Sequence, residues 1–112
     1  RLAEYLAARP IKGKTSVVFA MLADKSCEDF IGQLQAQVNG RWWLPALDHS
    51  RGMAPEKIQS QLPDGAISST VADSLRQALA AMGDDDRLVI TGSFITVAAA
   101  LAYLREEGIG LE

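Results

Sequence analysis

The sequence predicts an α/β domain with a mostly parallel sheet and helices on both of its faces. Short apolar, β-branched runs alternate with segments of helical periodicity along the whole chain. The candidate strands are near-continuous hydrophobic runs, as expected where helices cover both faces of a sheet. The connections between elements are short, and right-handed crossovers then require parallel strands.

The elements follow in order. Leu2, Tyr5 and Leu6 share one face of an opening helix, which Arg9-Pro10 ends because proline disfavours α geometry before it. Residues 15–22 (TSVVFAML) read as a buried strand. Ser26 and Asp29 form a capping pair ahead of a helix striped by Cys27, Phe30, Ile31, Leu34 and Val38, and Asn39-Gly40 closes it. Arg41–Leu47 (RWWLPAL) is a second strand, with Pro45 near its end and Trp42 and Trp43 on opposite sides. After the polar loop Asp48–Met53, Pro55 suits the first position of a short helix that carries Ile58 and Leu62.

Ala66–Ser69 is a weak, short strand. Thr70 and Asp73 cap the next helix, whose stripe is Val71, Leu75, Ala78, Leu79 and Met82. Asp84-Asp85-Asp86 reads as a solvated acidic turn, and Arg87–Thr91 as a buried strand. Gly92-Ser93 turns directly into a final helix. There Phe94, Val97, Leu101 and Leu104 share a face, and Ala98, Ala99, Ala100 and Ala102 allow close packing.

Composition bounds the function. The chain has 112 residues, enough for one domain, and 48% hydrophobic with 22% charged residues is a globular balance. A formal net charge of −3 supplies no positive field for nucleic acid or an anionic membrane. One cysteine and one histidine leave no internal disulfide framework and no Cys- or His-rich metal site, so no metal ligand is assigned. No apolar run approaches the ~20 residues of a membrane span, and no signal peptide is visible, so a cytoplasmic setting is expected. The chain opens without Met inside a helical pattern and ends in Leu111-Glu112 after Gly-Ile-Gly. It therefore reads as an excised domain over residues 1–110, with residues 111–112 as a vector scar.

Open parallel sheets bind ligands beyond the carboxyl ends of their strands. That places the candidate residues in Ala23–Ser26, Asp48–Met53 and Gly92–Thr96. Lys25, at a helix N-terminus, would add a cation to free amide N–H groups. Gly92 permits a close backbone approach. The Ser93 hydroxyl either caps its own helix or binds a carboxylate, and the sequence leaves both uses open. Gly13-Lys14-Thr15 resembles the end of a P-loop, but the earlier glycine is missing and a strand follows, so a turn into a strand accounts for it. His49 lacks a nucleophile at useful spacing, and Cys27 lies on an apolar stripe as a small core residue.

Val18–Ser26 (VFAMLADKS), a loop arginine at Arg51 followed by a short helix, and Arg87–Leu101 (RLVITGSFITVAAAL) resemble one family. The match is to the C-terminal domain of the folylpolyglutamate synthase/dihydrofolate synthase family of the Mur ligase superfamily. The resemblance covers nearly the whole chain. Its most specific pieces are Met21-Leu22-Ala23-Asp24-Lys25 and Gly92-Ser93-Phe94 with Thr96-Val97.

The resemblance implies a Rossmann-like three-layer sandwich that closes over ATP held by an N-terminal ATPase domain of the same chain. The whole enzyme would use ATP and Mg²⁺ to add L-glutamate to dihydropteroate and reduced folates through an acyl phosphate. Ser93 would lie near the glutamate carboxylate, with Gly92, Phe94 and Thr96 in the same segment. Lys25 and Asp24 would face the interdomain cleft, where a lysine suits anionic phosphoryl and acyl-phosphate groups. Arg51 would be a further cleft contact. No catalytic residue is assigned to this chain.

The family's P-loop and carbamylated lysine belong to the N-terminal domain. Its Asp-Gly-Ala-His-Asn-Pro segment would lie just before Arg1, so the domain's first strand is expected to be missing. A gap beside the first strand and final helix, open to a neighbouring copy, would follow. The isolated chain is expected to be inactive, and the full-length enzyme a monomer. Another Mur-type amino-acid ligase would share the fold. A flavodoxin- or receiver-like module is the alternative outside catalysis. A receiver needs acids ending its first strand and a lysine ending its last, where this chain has Met21-Leu22 and Thr91-Gly92.

Overall fold

Among the described residues nine alternating helices and strands form, in the order the periodicity predicts. The computed structural model describes residues 1–23 and 26–110. The helices are α1 (Leu2–Ala7), α2 (Cys27–Leu34), α3 (Pro55–Gln59), α4 (Val71–Ala81) and α5 (Phe94–Glu106). The strands are β1 (Thr15–Ala20), β2 (Trp42–Pro45), β3 (Ala66–Ser68) and β4 (Arg87–Gly92). A one-turn 3₁₀ helix, Gln35–Gln37, follows α2.

All four strands are parallel, in the order β3-β2-β1-β4. β1 and β4 pair along their whole length, from Thr15 with Arg87 to Ala20 with Gly92. The chain steps outward from β1 to β2 to β3, then crosses back to place β4 on the other side of β1. The α/β sandwich with helices on both faces is therefore as predicted.

Two hydrophobic layers hold the sandwich together. On one face Val17, Phe19 and Met21 pack with Trp42 and Leu44 against Leu6 of α1, Cys27, Ile31 and Leu34 of α2, and Ile58 of α3. Phe19 stacks on Phe30 at 5.3 Å and meets the edge of Trp42 at 5.8 Å. On the other face Val18 and Trp43 pack against Val71, Leu75 and Ala78 of α4 and Ala100 of α5. Trp42 and Trp43 do lie on opposite sides, as strand alternation requires. α4 begins as predicted, with the Thr70 hydroxyl accepting the Asp73 amide N–H at 3.0 Å.

Several expectations need correction. β1 ends at Ala20, and Leu22 instead pairs antiparallel with Gly52. α2 ends at Leu34, so Val38 lies outside the helix with an extended backbone. Ser26 stands at the N-cap of α2 but makes no side-chain cap hydrogen bond. β4 is half-buried throughout rather than buried, because among the described residues it is an edge strand. No gap adjoins β1, which is hydrogen-bonded on both edges; among the described residues the open edges belong to β3 and β4.

The inner face of α5 is Thr96, Ala100 and Leu104, at i, i+4 and i+8. Of the predicted stripe only Leu104 is buried, while Phe94 is 77% exposed and Val97 and Leu101 are also exposed. α5 is apolar nearly all round, so periodicity could not choose its face.

Candidate functional site

Because β3 and β4 lie on opposite sides of the β1–β2 pair, the chain reverses its direction of travel across the sheet at the β1/β4 boundary. A crevice for a ligand opens beyond the carboxyl ends of strands at such a boundary. The predicted loops gather there. Ala20 and Gly92, the last residues of β1 and β4, are register partners. The Asp48–Met53 loop is laced to the chain leaving β1: the Ala23 amide donates to the Arg51 carbonyl at 2.7 Å, and the Met53 amide to the Met21 carbonyl at 2.8 Å. Arg51 is exposed, and its amide N–H donates to His49 Nδ1 at 3.0 Å. His49 thus orders its own loop. Asp24 and Lys25 lie outside the described residues.

The turn from β4 into α5 is the most tightly built part of this end. Gly92 has φ +121°, a region that favours glycine, and any Cβ there would meet the Ala20 carbonyl oxygen at 1.9 Å. The close approach that Gly92 permits is therefore to β1. The Ser93 amide donates to the Ala20 carbonyl at 3.0 Å. The Ser93 hydroxyl accepts the Thr96 amide N–H at 3.2 Å, so it caps α5, one of the two uses the sequence left open. Thr96 is fully buried and its hydroxyl donates to the same Ala20 carbonyl at 2.9 Å. Phe94 projects outward beside it. Five of the predicted site residues, Gly92, Ser93, Phe94, Thr96 and Arg51, thus share one end of the sheet. Sequence reasoning missed the Ala20 carbonyl, a backbone acceptor that no side chain advertises.

The opposite end of the sheet holds a concavity of about 950 Å³, lined by Lys14, Ser16, Asn39, Arg41, Trp43 and Asp86, among others. The Asp86, Asn39 and Ser16 side chains there are already engaged. Asp86 accepts the Lys14 and Gly83 amides, each at 2.8 Å; Asn39 Oδ1 accepts the Thr15 amide at 2.8 Å; and Ser16 Oγ accepts the Arg41 amide at 2.9 Å. This groove is a seam joining strand beginnings, and the carboxyl ends remain the better site. The acidic turn is correspondingly less passive than expected, since the Gly83 and Lys14 amides hold the Asp86 carboxyl below its ordinary range. Gly13 fits its turn because a Cβ there would stand 2.2 Å from Asp86 Oδ1, and Thr15 begins β1 directly after it. Cys27 is buried, and Gln61 Nε2 donates to its sulfur at 3.2 Å. Among the described residues no group of His, Cys, Asp or Glu is placed to hold a metal ion, and no helix is long and apolar enough to cross a membrane.

Comparison with known proteins adds to this geometry. The chain is 32% identical over 106 residues to the dihydrofolate synthase/folylpolyglutamate synthase of Escherichia coli K12, covering 91% of this chain and 25% of that protein. E. coli FolC in complex with DHPP and ADP superposes with a TM-score of 0.89 at 27% identity, over 96% of this chain and 26% of that one. The relatives of this chain are folylpolyglutamate/dihydrofolate synthases. A bifunctional synthase of this kind with Mn, AMPPNP and L-glutamate bound gives a TM-score of 0.81 at 32% identity, over 92% of this chain and 26% of that one. The chain thus spans about a quarter of the length of these synthases and corresponds to the C-terminal part of the E. coli one. No protein-family model matches it.

Proposed function

We propose that residues 1–110 are the C-terminal, glutamate-ligase domain of an ATP-dependent ligase that joins L-glutamate to dihydropteroate and to reduced folates. In that reaction the substrate carboxylate takes the γ-phosphoryl group of ATP, releasing ADP and leaving an acyl phosphate. The glutamate amine then attacks the acyl carbon, the amide C–N bond forms, and phosphate and a proton leave. The observation that carries this reading is the convergence of the two family-like segments on adjacent strand ends, Ala20 beside Gly92.

The segment Gly92–Thr96 would receive the incoming glutamate, with its carboxylate over the amide-rich start of α5 and Ser93 beside it. Asp24 and Lys25 would face the acyl phosphate across an interdomain cleft, and Arg51 would line its rim. Among the described residues no acidic cluster forms that would fit Mg²⁺. We assign ATP and its metal to an N-terminal ATPase domain of the same protein, and derive no step of this domain through them. A further strand along the open edge of β4 would complete the sheet. The net charge of −3 favours small-molecule partners over nucleic acid or a membrane surface, and we place the full-length enzyme in the cytoplasm as a monomer.

The test is a ligation assay on the full-length protein carrying this domain, with ATP, Mg²⁺, dihydropteroate and L-glutamate. The expected result is dihydrofolate and ADP in equal amounts. ADP release with no glutamate incorporated into any pterin or folate acceptor would overturn the assignment.

A further inference from the structure

The single proton of the Ser93 hydroxyl has a definite destination. A carbonyl oxygen has no hydrogen to give, so Thr96 is the donor in its 2.9 Å bond to Ala20. That uses the only hydroxyl proton Thr96 has. In the 3.0 Å contact between Thr96 Oγ1 and Ser93 Oγ, Ser93 is therefore the donor. Ser93 Oγ also accepts the Thr96 amide N–H at 3.2 Å. Hydroxyl protons thus run one way, from Ser93 to Thr96 to the last carbonyl of β1; Ser93 has no proton left for a carboxylate, and its one uncommitted lone pair can only accept, as from the amine N–H of an incoming glutamate.

We infer that Thr96 is a positioning residue for the glutamate-binding end of the sheet, acting through Ser93; this rests on the reading that the Gly92–Thr96 segment receives the amino acid. Thr96 is fully buried, so its side chain orients its neighbours and does not meet the ligand. Its hydroxyl selects the orientation of the Ser93 hydroxyl and ties the start of α5 to the end of β1. A valine at this position fills the same volume but offers Ser93 no acceptor, so the hydroxyl turns freely and the lone pair that would accept the glutamate amine is no longer held in place. The Ala20 carbonyl would still hold the Ser93 amide at 3.0 Å, so no buried acceptor is orphaned and the change falls on Ser93.

The experiment is steady-state kinetics of the full-length protein with Thr96→Val, Thr96→Ser, Ser93→Ala and the Ser93→Ala/Thr96→Val double variant. Thr96→Val is expected to raise the glutamate KM by roughly fivefold or more, the worth of one hydrogen bond, with the ATP KM within about twofold of wild type. Thr96→Ser keeps the hydroxyl and stays within about twofold of wild type for both substrates. In the Ser93→Ala background Thr96→Val adds nothing further, because its target is gone.

An unchanged glutamate KM in Thr96→Val overturns the assignment. So does a Thr96→Ser variant as impaired as Ser93→Ala, an outcome that stands even if Thr96→Val fails to fold. A wild-type protein that does not use glutamate refutes the proposed function. A glutamate-using wild type with a silent Thr96→Val refutes only the role of Thr96.

Discussion

Gly92 lies against the carbonyl of Ala20 so closely that a Cβ on Gly92 would stand 1.9 Å from the oxygen. That contact, with φ at +121°, leaves no place for any other residue. Gly92→Ala must move either the end of β1 or the start of α5. The expected cost is about 3 kcal/mol, combining backbone strain with displacement of a buried hydrogen-bonded turn. Urea denaturation reads it directly; a loss under about 0.5 kcal/mol would show that the turn yields freely.

Asp86 makes acid stability a local property. Its folded carboxyl is lowered below the ordinary 3.8, first by the Gly83 amide and next by the Lys14 amide. A lowered folded value means that the unfolded chain binds the proton more readily. The stability Asp86 supplies is therefore present above the ordinary value and is lost as pH falls through it toward the folded one. Asp86→Asn is expected to be less stable than wild type at neutral pH, with the difference closing below about pH 4 as the wild type protonates. Thermal melts across that range check it, and a constant difference at every pH contradicts it.

Ser74 is fully buried on α4, and its hydroxyl has no hydrogen-bond partner among the described residues. Ser74→Ala removes an unsatisfied polar atom and raises helix propensity, so it should stabilise the domain by about 1 kcal/mol. Differential scanning calorimetry would show a Tm higher by roughly 4 °C. A lower Tm would mean that the hydroxyl has a partner after all.

What the sequence made legible follows from how strongly each element depends on its own residues. TSVVFA and the Leu75–Ala78 stripe carry their burial pattern in their own composition, and both formed where expected. The inner face of α5 did not follow, because Phe94, Val97 and Leu101 are as apolar as the residues that were buried instead; packing on β4 and α4 selected the small and polar Ala100 and Thr96. β4 reads as buried from RLVIT, yet its burial depends on which neighbours the sheet supplies. At the site the loops were legible from strand ends and turn residues. The hub they share was not, since the Ala20 carbonyl belongs to the backbone and its two donors come from residues more than seventy positions away. Likewise the acidic turn showed its charge, while only the fold shows that the Asp86 carboxylate and the Asp85 carbonyl tie the turn to the chain entering β1.

The most direct measurement is the effect of Ser93→Ala on the kinetics of the full-length protein. Loss of the cap should cost about 1 kcal/mol of stability whatever the function, so the substrates must be compared with each other. If the Gly92–Thr96 segment receives glutamate, the glutamate KM rises roughly fivefold to tenfold or kcat/KM for glutamate falls as much, while the ATP KM stays within about twofold. Glutamate kinetics identical to wild type in a folded Ser93→Ala protein would contradict the placement of the amino acid at this end of the sheet.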